Sequence, residues 1–143
     1  MNLRIVVAMR IHLAGVVLAS AVARAAIAQS PVQPSALVTP LGIWRGASVC
    51  LVRPSACNDE VVVYRITQMK TADSLAVDAR KIVRGEEQEM GVLGCRFEAP
   101  TARLTCQIPN GVWQFTIRGD SLVGELRQPD GTKVRDVRTK RSR

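Results

Sequence analysis

Residues 93–126, LGCRFEAPTARLTCQIPNGVWQFTIRGDSLVGEL, decide the fold. Apolar and polar residues alternate there in four short runs, which is typical of half-buried β-strands. Turn signals separate the runs at Ala99–Ala102, Asn110-Gly111 and Gly119-Asp120. A shift of one residue in any pairing would turn every side chain to the opposite face, so each turn can be tested against the alternation. The stretch predicts three successive hairpins.

The three turns predict registers that agree with one another, because all of them place the apolar residues on one face. Gly124 would leave room for Phe115 across the third hairpin. The predicted pairs are Phe97 with Leu104, Cys95 with Cys106 and Leu93 with Ile108 in the first hairpin, Ile108 with Trp113, Cys106 with Phe115 and Leu104 with Ile117 in the second, and Ile117 with Leu122, Phe115 with Gly124 and Trp113 with Leu126 in the third.

Alternating runs continue on both sides of this stretch, with turn residues between them. We predict an all-β fold: a single small antiparallel up-and-down β-barrel of about eight strands, with no helix after residue 28. The predicted strands are Leu41–Leu51, Glu60–Gln68, Ser74–Val83, Val92–Glu98, Arg103–Ile108, Val112–Arg118, Ser121–Gln128 and Thr132–Lys140.

The last hairpin has two alternative registers. A tight turn at Asp130-Gly131 pairs Leu126 with Arg135 and Gly124 with Val137. A bulged loop would reverse the faces and turn Val134 inward.

Residues 1–28 have the composition of a cleaved signal peptide. Arg4 and Arg10 precede an apolar run over 11–23, and Ala26-Ile27-Ala28 offers a cleavage site before Gln29. Ala23-Arg24-Ala25 is a second candidate site. The apolar run is too short to span a bilayer. We therefore expect a signal peptide at 1–28, a flexible proline-containing leader at 29–40, a barrel domain at 41–143, no transmembrane segment after cleavage, and a secreted or periplasmic protein.

Charge and composition limit the chemistry after cleavage. The one histidine, His12, belongs to the predicted signal, so histidine-based catalysis and zinc binding are excluded. Glu86-Glu87-Gln88-Glu89 lacks the spacing of a calcium loop and is interpreted as a solvated turn. No glycine-rich phosphate loop is present. We predict no enzyme activity, no cofactor and no metal.

Basic residues concentrate at the end of the chain. Segment 133–143 has six basic residues and one acid, whereas 29–132 has eleven of each. Two interpretations remain open. The basic end is a tail that contacts an envelope protein, an anionic envelope polymer or lipid head groups, or it is a last strand with outward charges and a solvated tail. Nucleic acid is not expected as a partner, because the balanced charges of the body predict no basic face and the expected compartment holds no nucleic acid target.

The four cysteines predict two disulfides. Cys95 and Cys106 face each other in a register chosen from the hydrophobic residues, and Cys50 and Cys57 enclose a short loop containing Pro54. Free buried thiols or a redox pair are the alternative, but Cys-x-x-Cys spacing is absent.

The motif Gly42-Ile43-Trp44, at the start of the first strand of an exported β-meander, resembles the opening signature of the lipocalins. Similarity to small uncharacterised bacterial lipocalin-like proteins extends to Trp44-Arg45-Gly46, Asp59–Tyr64, 110–113 and 129–132. The resemblance implies that Trp44 closes one barrel end and that a basic residue of the last strand packs across it, for which Arg135 and Arg138 are the candidates.

Two functions from different classes follow. In the first, the barrel binds a small apolar or amphipathic molecule, with a lining drawn from the aromatics; an interior packed solid by the same residues is the alternative. In the second, the loop closed by Cys50 and Cys57 acts as a protein-interaction or inhibitor module through Arg53. The predicted ligand-binding residues are Trp44, Tyr64, Trp113, Phe115 and Arg135, with Phe97 as a further candidate for the lining.

Overall fold

A computed structural model describes Val38–Arg143; the predicted signal peptide and residues 29–37 of the predicted leader lie outside the described residues. Eight strands form a closed barrel in which each strand is antiparallel to its neighbours and β8 returns to β1. This confirms the predicted fold class. The strands are β1 (Gly42–Cys50), β2 (Glu60–Gln68), β3 (Ser74–Val83), β4 (Glu86–Glu98), β5 (Arg103–Ile108), β6 (Gly111–Arg118), β7 (Ser121–Arg127) and β8 (Lys133–Ser142).

Helical structure is minor in this part of the chain. A 3₁₀ helix, Ala99–Thr101, joins β4 to β5 and ends at Ala102, which has a left-handed backbone. Within Val38–Arg143 no helix has the length and apolar character needed to cross a membrane.

Strand β4 corrects one prediction, because it starts at Glu86 and not at Val92. The acidic cluster 86–89, interpreted from the sequence as a solvated turn, belongs to this strand and is exposed. The turn itself consists of Arg84 and Gly85, with φ values of 52° and 88°. Positive φ at two consecutive residues is what a tight two-residue hairpin requires, so the chain reverses before the acids begin.

The first and third predicted hairpins have the predicted registers at their centres. Cys95 pairs with Cys106 and Phe97 with Leu104. Across the third hairpin, Phe115 pairs with Gly124. The predicted pair of Leu93 with Ile108 is not formed, because the β4–β5 ladder ends at the two cysteines.

The second hairpin has a register two residues away from the prediction. Ile108 pairs with Gly111, so the turn consists of Pro109 and Asn110. Among the described non-glycine residues only Arg84 and Ala102 have positive φ. Asn110 therefore cannot occupy the tight turn with two positive φ values that an Asn-Gly turn implies. Proline followed by asparagine and glycine suits the commonest turn type instead. A shift of two residues keeps the apolar face inward.

The last hairpin adopts the register that follows from a tight turn. Gly124 pairs with Val137 and Leu126 with Arg135, and an irregularity between Leu126 and Arg127 absorbs the longer connection. Val137 is buried and Val134 is not. The basic end is therefore the last strand of the barrel up to Ser142, with alternate residues directed inward and outward.

The barrel interior is filled at one end only. Close packing surrounds Trp44, at the end where β1 begins and β8 finishes. The opposite end carries the loops β1–β2, β3–β4, β5–β6 and β7–β8, and there the interior is open. The core residues of the filled end are Trp44, Ile66, Val77, Leu104, Phe115, Ile117 and Leu122.

Strand β4 is paired on one side only at the open end. Its pairing with β3 shifts between Ala79 and Arg80, so that Met90 is an extra residue on β4. Bulges bend a strand and interrupt its pairing. The β4–β5 ladder ends at Cys95 and Cys106 although β5 continues to Ile108, so the portion of β4 before Cys95 has no ladder partner on that side. The wall beside Met90 and Leu93 therefore does not close against β5.

Candidate ligand pocket at the open end of the barrel

A cavity of ≈ 300 Å³ occupies the open end. Its wall is apolar on the side of β3, β4 and β6, and polar on the side of β1, β2 and β8. This volume lies at the lower limit of typical small-molecule pockets. The apolar side is formed by Ala79, Met90, Leu93, Trp113 and Phe115, and the polar side by Ser48, Glu60, Tyr64 and Arg135.

Alternation along the strands explains why polar groups enter a barrel. Glu60 precedes Val62, Tyr64 and Ile66 on β2 at intervals of two, so it points to the same side as these core residues. Arg135 precedes Val137 on β8 in the same way. Both charged side chains are therefore directed inward, above the filled half of the barrel.

Arg135 is fixed by a network of polar contacts. Its Nη1 donates to Ser48 Oγ at 2.7 Å and lies 3.2 Å from a carboxylate oxygen of Glu60. Its Nη2 donates to the carbonyl of Asn58 at 2.9 Å. The Arg135 side chain is only 15% exposed, and a charge so placed needs such partners. Lys81 also reaches Glu60, at 3.6 Å.

Tyr64 supplies a neutral hydrogen-bond donor to the cavity. Burial raises the pKa of its phenol far above the ordinary value; Arg135 opposes this shift and Glu60 adds to it. The phenol therefore stays protonated at physiological pH. Burial and the charges of Arg135 and Glu60 are the causes of this pKa shift. No described residue forms a hydrogen bond with the Tyr64 hydroxyl.

An aromatic group forms the boundary between the cavity and the core. Trp113 stacks on Phe115 with a centroid separation of 5.5 Å, and Tyr64 meets Phe115 edge to face at 5.6 Å. Gly124 makes this possible, because a Cβ atom there would overlap the Phe115 ring. Trp113 is half-buried and lines the cavity.

Trp44 does not belong to this pocket, contrary to its inclusion among the predicted ligand-binding residues. It is completely buried at the filled end, where its Nε1 donates to the Pro40 carbonyl at 2.8 Å. The basic residue across its ring is Arg141, 4.1 Å from the ring centroid, and not Arg135 or Arg138. Arg141 lies at the filled end because Trp44 pairs with it across β1 and β8.

Four of the five predicted ligand-binding residues are thus brought together: Tyr64, Trp113, Phe115 and Arg135. Phe97 packs against the core and takes no part in the cavity. Glu60, Ser48 and the apolar residues of β3 and β4 were not predicted as part of the site. The inward position of Glu60 could have been inferred from the period-two pattern of β2. Met90 reaches the cavity wall through a bulge, which no sequence pattern predicts.

Both disulfides are those predicted. Cys95 and Cys106 are directly paired across β4 and β5 and are buried, with Cα atoms 4.2 Å apart. Cys50–Cys57 closes the β1–β2 loop. In that loop Arg53 forms an ion pair with Asp59 at 2.8 Å, and the same carboxylate accepts the Cys50 backbone N–H.

Comparison of the chain with protein-family models, with curated proteins and with solved structures found no match.

Proposed function

We propose that this chain is an exported, non-enzymatic, lipocalin-like module that binds a small amphipathic molecule in the open end of its barrel. The observation that carries the proposal is the two-sided cavity, in which an aromatic and aliphatic wall faces Tyr64 and Arg135. A ligand pocket is commonly mostly apolar with a few placed polar groups. The filled half of the barrel provides a rigid floor under it.

The polar side of the cavity defines the chemistry of the ligand. A protonated Tyr64 hydroxyl donates a hydrogen bond, and Arg135 offers further N–H groups while its charge is balanced by Glu60. These groups favour a ligand with an oxygen acceptor, such as a carbonyl, a carboxylate or a sulfonate. The body of the ligand would lie against Trp113 and Leu93, where apolar burial supplies most of the affinity.

Export is supported by the two disulfides, which persist in oxidising compartments, and by the signal-like composition of residues 1–28. A periplasmic or secreted location follows as part of the proposal. The absence of histidine after residue 28 removes the side chain most often used for proton transfer near neutral pH, which supports binding as the role in preference to catalysis.

A fluorescence titration with 8-anilinonaphthalene-1-sulfonate tests the pocket, because this probe combines an aromatic body with a sulfonate acceptor. The expected result is saturable one-to-one binding to the folded protein. Ala79→Leu adds a branched side chain to the cavity wall and should weaken binding by about tenfold or more. Ala76→Leu is the matched control, since Ala76 lies on the same strand but alternates to the other face and is only partly buried.

Tyr64→Phe separates the polar from the apolar contribution, and a decrease in affinity of about three- to tenfold is expected from the loss of one hydrogen bond. Equal binding by the Ala79→Leu and Ala76→Leu variants, both folded by near-ultraviolet circular dichroism, would count against the pocket. Native mass spectrometry of protein purified from its own envelope fraction would then identify the natural occupant.

The disulfide-closed loop supports a second proposal, a protein-interaction or inhibitor role. Leu51 and Val52 in this loop are 44% and 39% exposed, next to Val49 at 40%. Grouped exposed apolar side chains are typical of contact surfaces. Arg53, by contrast, is occupied by Asp59. Retention of an envelope protein that is lost in the double variant Leu51→Ser/Val52→Ser but kept in Arg53→Ala would support this role. Equal retention by the wild type and both variants would exclude the loop.

A further inference from the structure

Five cationic side chains lie together on the outer wall of the barrel. We call this surface the cationic groove and define it by Arg45, Arg103, Arg118, Arg138 and Lys140. All five are exposed. None of them forms an ion pair with a carboxylate of the described residues, although Lys140 donates a hydrogen bond to Ser121. They come from four strands, so the fold and not the local sequence brings them together.

Strand registers explain the grouping. Arg103 pairs with Thr116, Thr116 with Val123 and Val123 with Arg138, which gives one outward row across four strands. In the adjacent row Arg118 pairs with Ser121, Ser121 with Lys140 and Lys140 with Arg45. Neighbouring strands are about 4.8 Å apart, so the Cα atoms of Arg103 and Arg138 lie roughly 14 Å apart, with small residues between them.

The small residues between the cations make the surface a trough. Two hollows of ≈ 470 and ≈ 310 Å³ lie on this face and share Val123 and Arg138. Gly46 and Ser121 contribute to the second hollow, and Thr116 and Gln114 to the first. Hydroxyl and amide groups thus lie between the long cationic side chains.

Carboxylates at the borders of this trough already form ion pairs with cations outside the groove. Glu87 is bound to Arg65, which with Arg80 and the groove residue Arg45 lowers its pKa. Asp120 in the β6–β7 turn is bound to Arg141.

Glu125 and Asp136 limit the first hollow on the side of the open barrel end, and each is already held by Lys133, with Arg127 also bound to Glu125. These ion pairs lower the pKa of Glu125, so it is charged and paired at neutral pH.

Unpaired cations are also concentrated here relative to the rest of the described chain. Nine of its cations form ion pairs. Eight do not, and five of these eight form the groove; the others are Lys70, Arg84 and Arg143. Since surface cations normally intersperse with acids, a row without carboxylates indicates a site for an anionic partner.

We propose that the cationic groove binds a linear anionic polysaccharide, one that carries carboxylate or sulfate groups along its length. Two staggered rows of cations match a chain with repeated charges, and Gln114, Thr116 and Ser121 suit sugar hydroxyls. Single-stranded nucleic acid fits this surface less well, because none of the residues that line the two hollows is an aromatic residue on which a base could stack. A bilayer is flat, whereas this surface is recessed.

The groove differs from the predicted basic tail in both location and composition. Only Arg138 and Lys140 come from segment 133–143, and Arg135 and Arg141 of the same segment are directed to the pocket and to Trp44. The groove is on the outer wall and shares no lining residue with the pocket in the barrel interior. Polysaccharide binding and small-molecule binding can therefore succeed or fail independently.

Binding of the whole mature chain to polygalacturonate and to dextran sulfate, followed by biolayer interferometry, tests the proposal. Neutral dextran is the control for the sugar backbone. Arg103→Gln/Arg138→Gln removes two groove cations and should reduce affinity for both anionic polymers by about tenfold or more, because each surface cation near an anionic surface is worth about a fivefold change. The matched control, Lys70→Gln/Arg84→Gln, removes the same net charge from two unpaired cations outside the groove and should change affinity less than about threefold.

Equal losses in the two double variants would show that net charge alone drives binding and would overturn the proposal. Binding of neutral dextran as strongly as dextran sulfate would do the same. Tighter binding to oligo(dT) or to phosphatidylglycerol vesicles than to either polymer, at matched ionic strength and lost in the groove variant, would reassign the groove to nucleic acid or membrane. Circular dichroism of the variants, which alter only exposed side chains, verifies that they remain folded.

Discussion

Arg141 lies over the indole of Trp44, with its guanidinium carbon 4.1 Å from the ring centroid. The same guanidinium donates hydrogen bonds of 2.6 Å to the carbonyls of Leu41 and Thr39. Trp44 in turn donates to Pro40. One arginine near the end of the chain thus joins the last strand to the segment that enters the first strand, and this contact covers the filled end of the barrel.

Replacement of Arg141 by alanine should lower the free energy of unfolding by about 1–3 kcal/mol, because it removes a cation–π contact and two hydrogen bonds to backbone carbonyls. Arg141→Lys keeps the charge but loses the planar pair of donors, so it should recover only part of the stability. Urea unfolding measures the difference. Arg138→Ala, which removes an exposed arginine of the same strand, should change stability by less than about 0.5 kcal/mol. A neutral Arg141→Ala would contradict the role assigned to this contact.

Gly124→Ala should destabilise the barrel by about 1–3 kcal/mol, because the added methyl group would overlap the Phe115 ring and force a shift in the core. Phe115→Leu replaces the ring with a smaller side chain and should therefore recover part of the stability that Gly124→Ala loses. In a double-mutant cycle the two changes are therefore expected to be non-additive, with the double variant more stable than the sum predicts. Additive losses would show that Gly124 is required for a reason unrelated to Phe115.

The two disulfides should be reduced in a fixed order under native conditions. Cys57 is partly exposed in the β1–β2 loop, whereas Cys95 and Cys106 are buried at 6% and 0% exposure. Thiol–disulfide exchange needs direct access to a sulfur atom, so mild reductant should open the loop disulfide first. Alkylation followed by peptide mass spectrometry measures the order. Simultaneous labelling of all four cysteines would mean that reduction proceeds through global unfolding.

Local patterns were sufficient to predict most of the barrel. Period-two alternation and short turns predicted most of the strand bounds. The Cys95–Cys106 pairing followed from the register that places the apolar residues of both strands on one face. The Asn110-Gly111 turn was misplaced because two registers that differ by two residues bury the same face. The hydrophobic pattern cannot distinguish these two registers, so the conformational preferences of Pro109 decide which one forms.

Features that depend on contacts distant in sequence could not be predicted. Arg135, Arg138 and Arg141 are all arginines on one strand, and only the pairing of β8 with β1 decides which of them reaches Trp44. The bulge that directs Met90 into the pocket wall has no composition signal of its own. The shape of the pocket therefore became known only from the structure, whereas the residues of its aromatic wall could be predicted from the sequence.

Tyr64 allows a direct test of the pocket environment, because it is the one tyrosine of the chain. Burial raises the pKa of its phenol above the ordinary value of 10.0. The folded protein should therefore develop no tyrosinate absorbance as the pH passes through 10, whereas protein unfolded in urea should titrate near that value.

The sign of the stability effect follows from linkage. Below the ordinary pKa the phenol is neutral in both states and contributes no pH dependence. Above it the unfolded state loses a proton that the folded state retains, so the free energy of unfolding falls as the pH rises. Tyr64→Phe should remove this part of the alkaline decrease, while Arg135→Gln, which deletes the charge that opposes the shift, should raise the phenol pKa further. Tyrosinate formation near pH 10 in the folded protein would mean that water reaches the hydroxyl freely, and the donor role assigned to Tyr64 in ligand binding would then lose its basis.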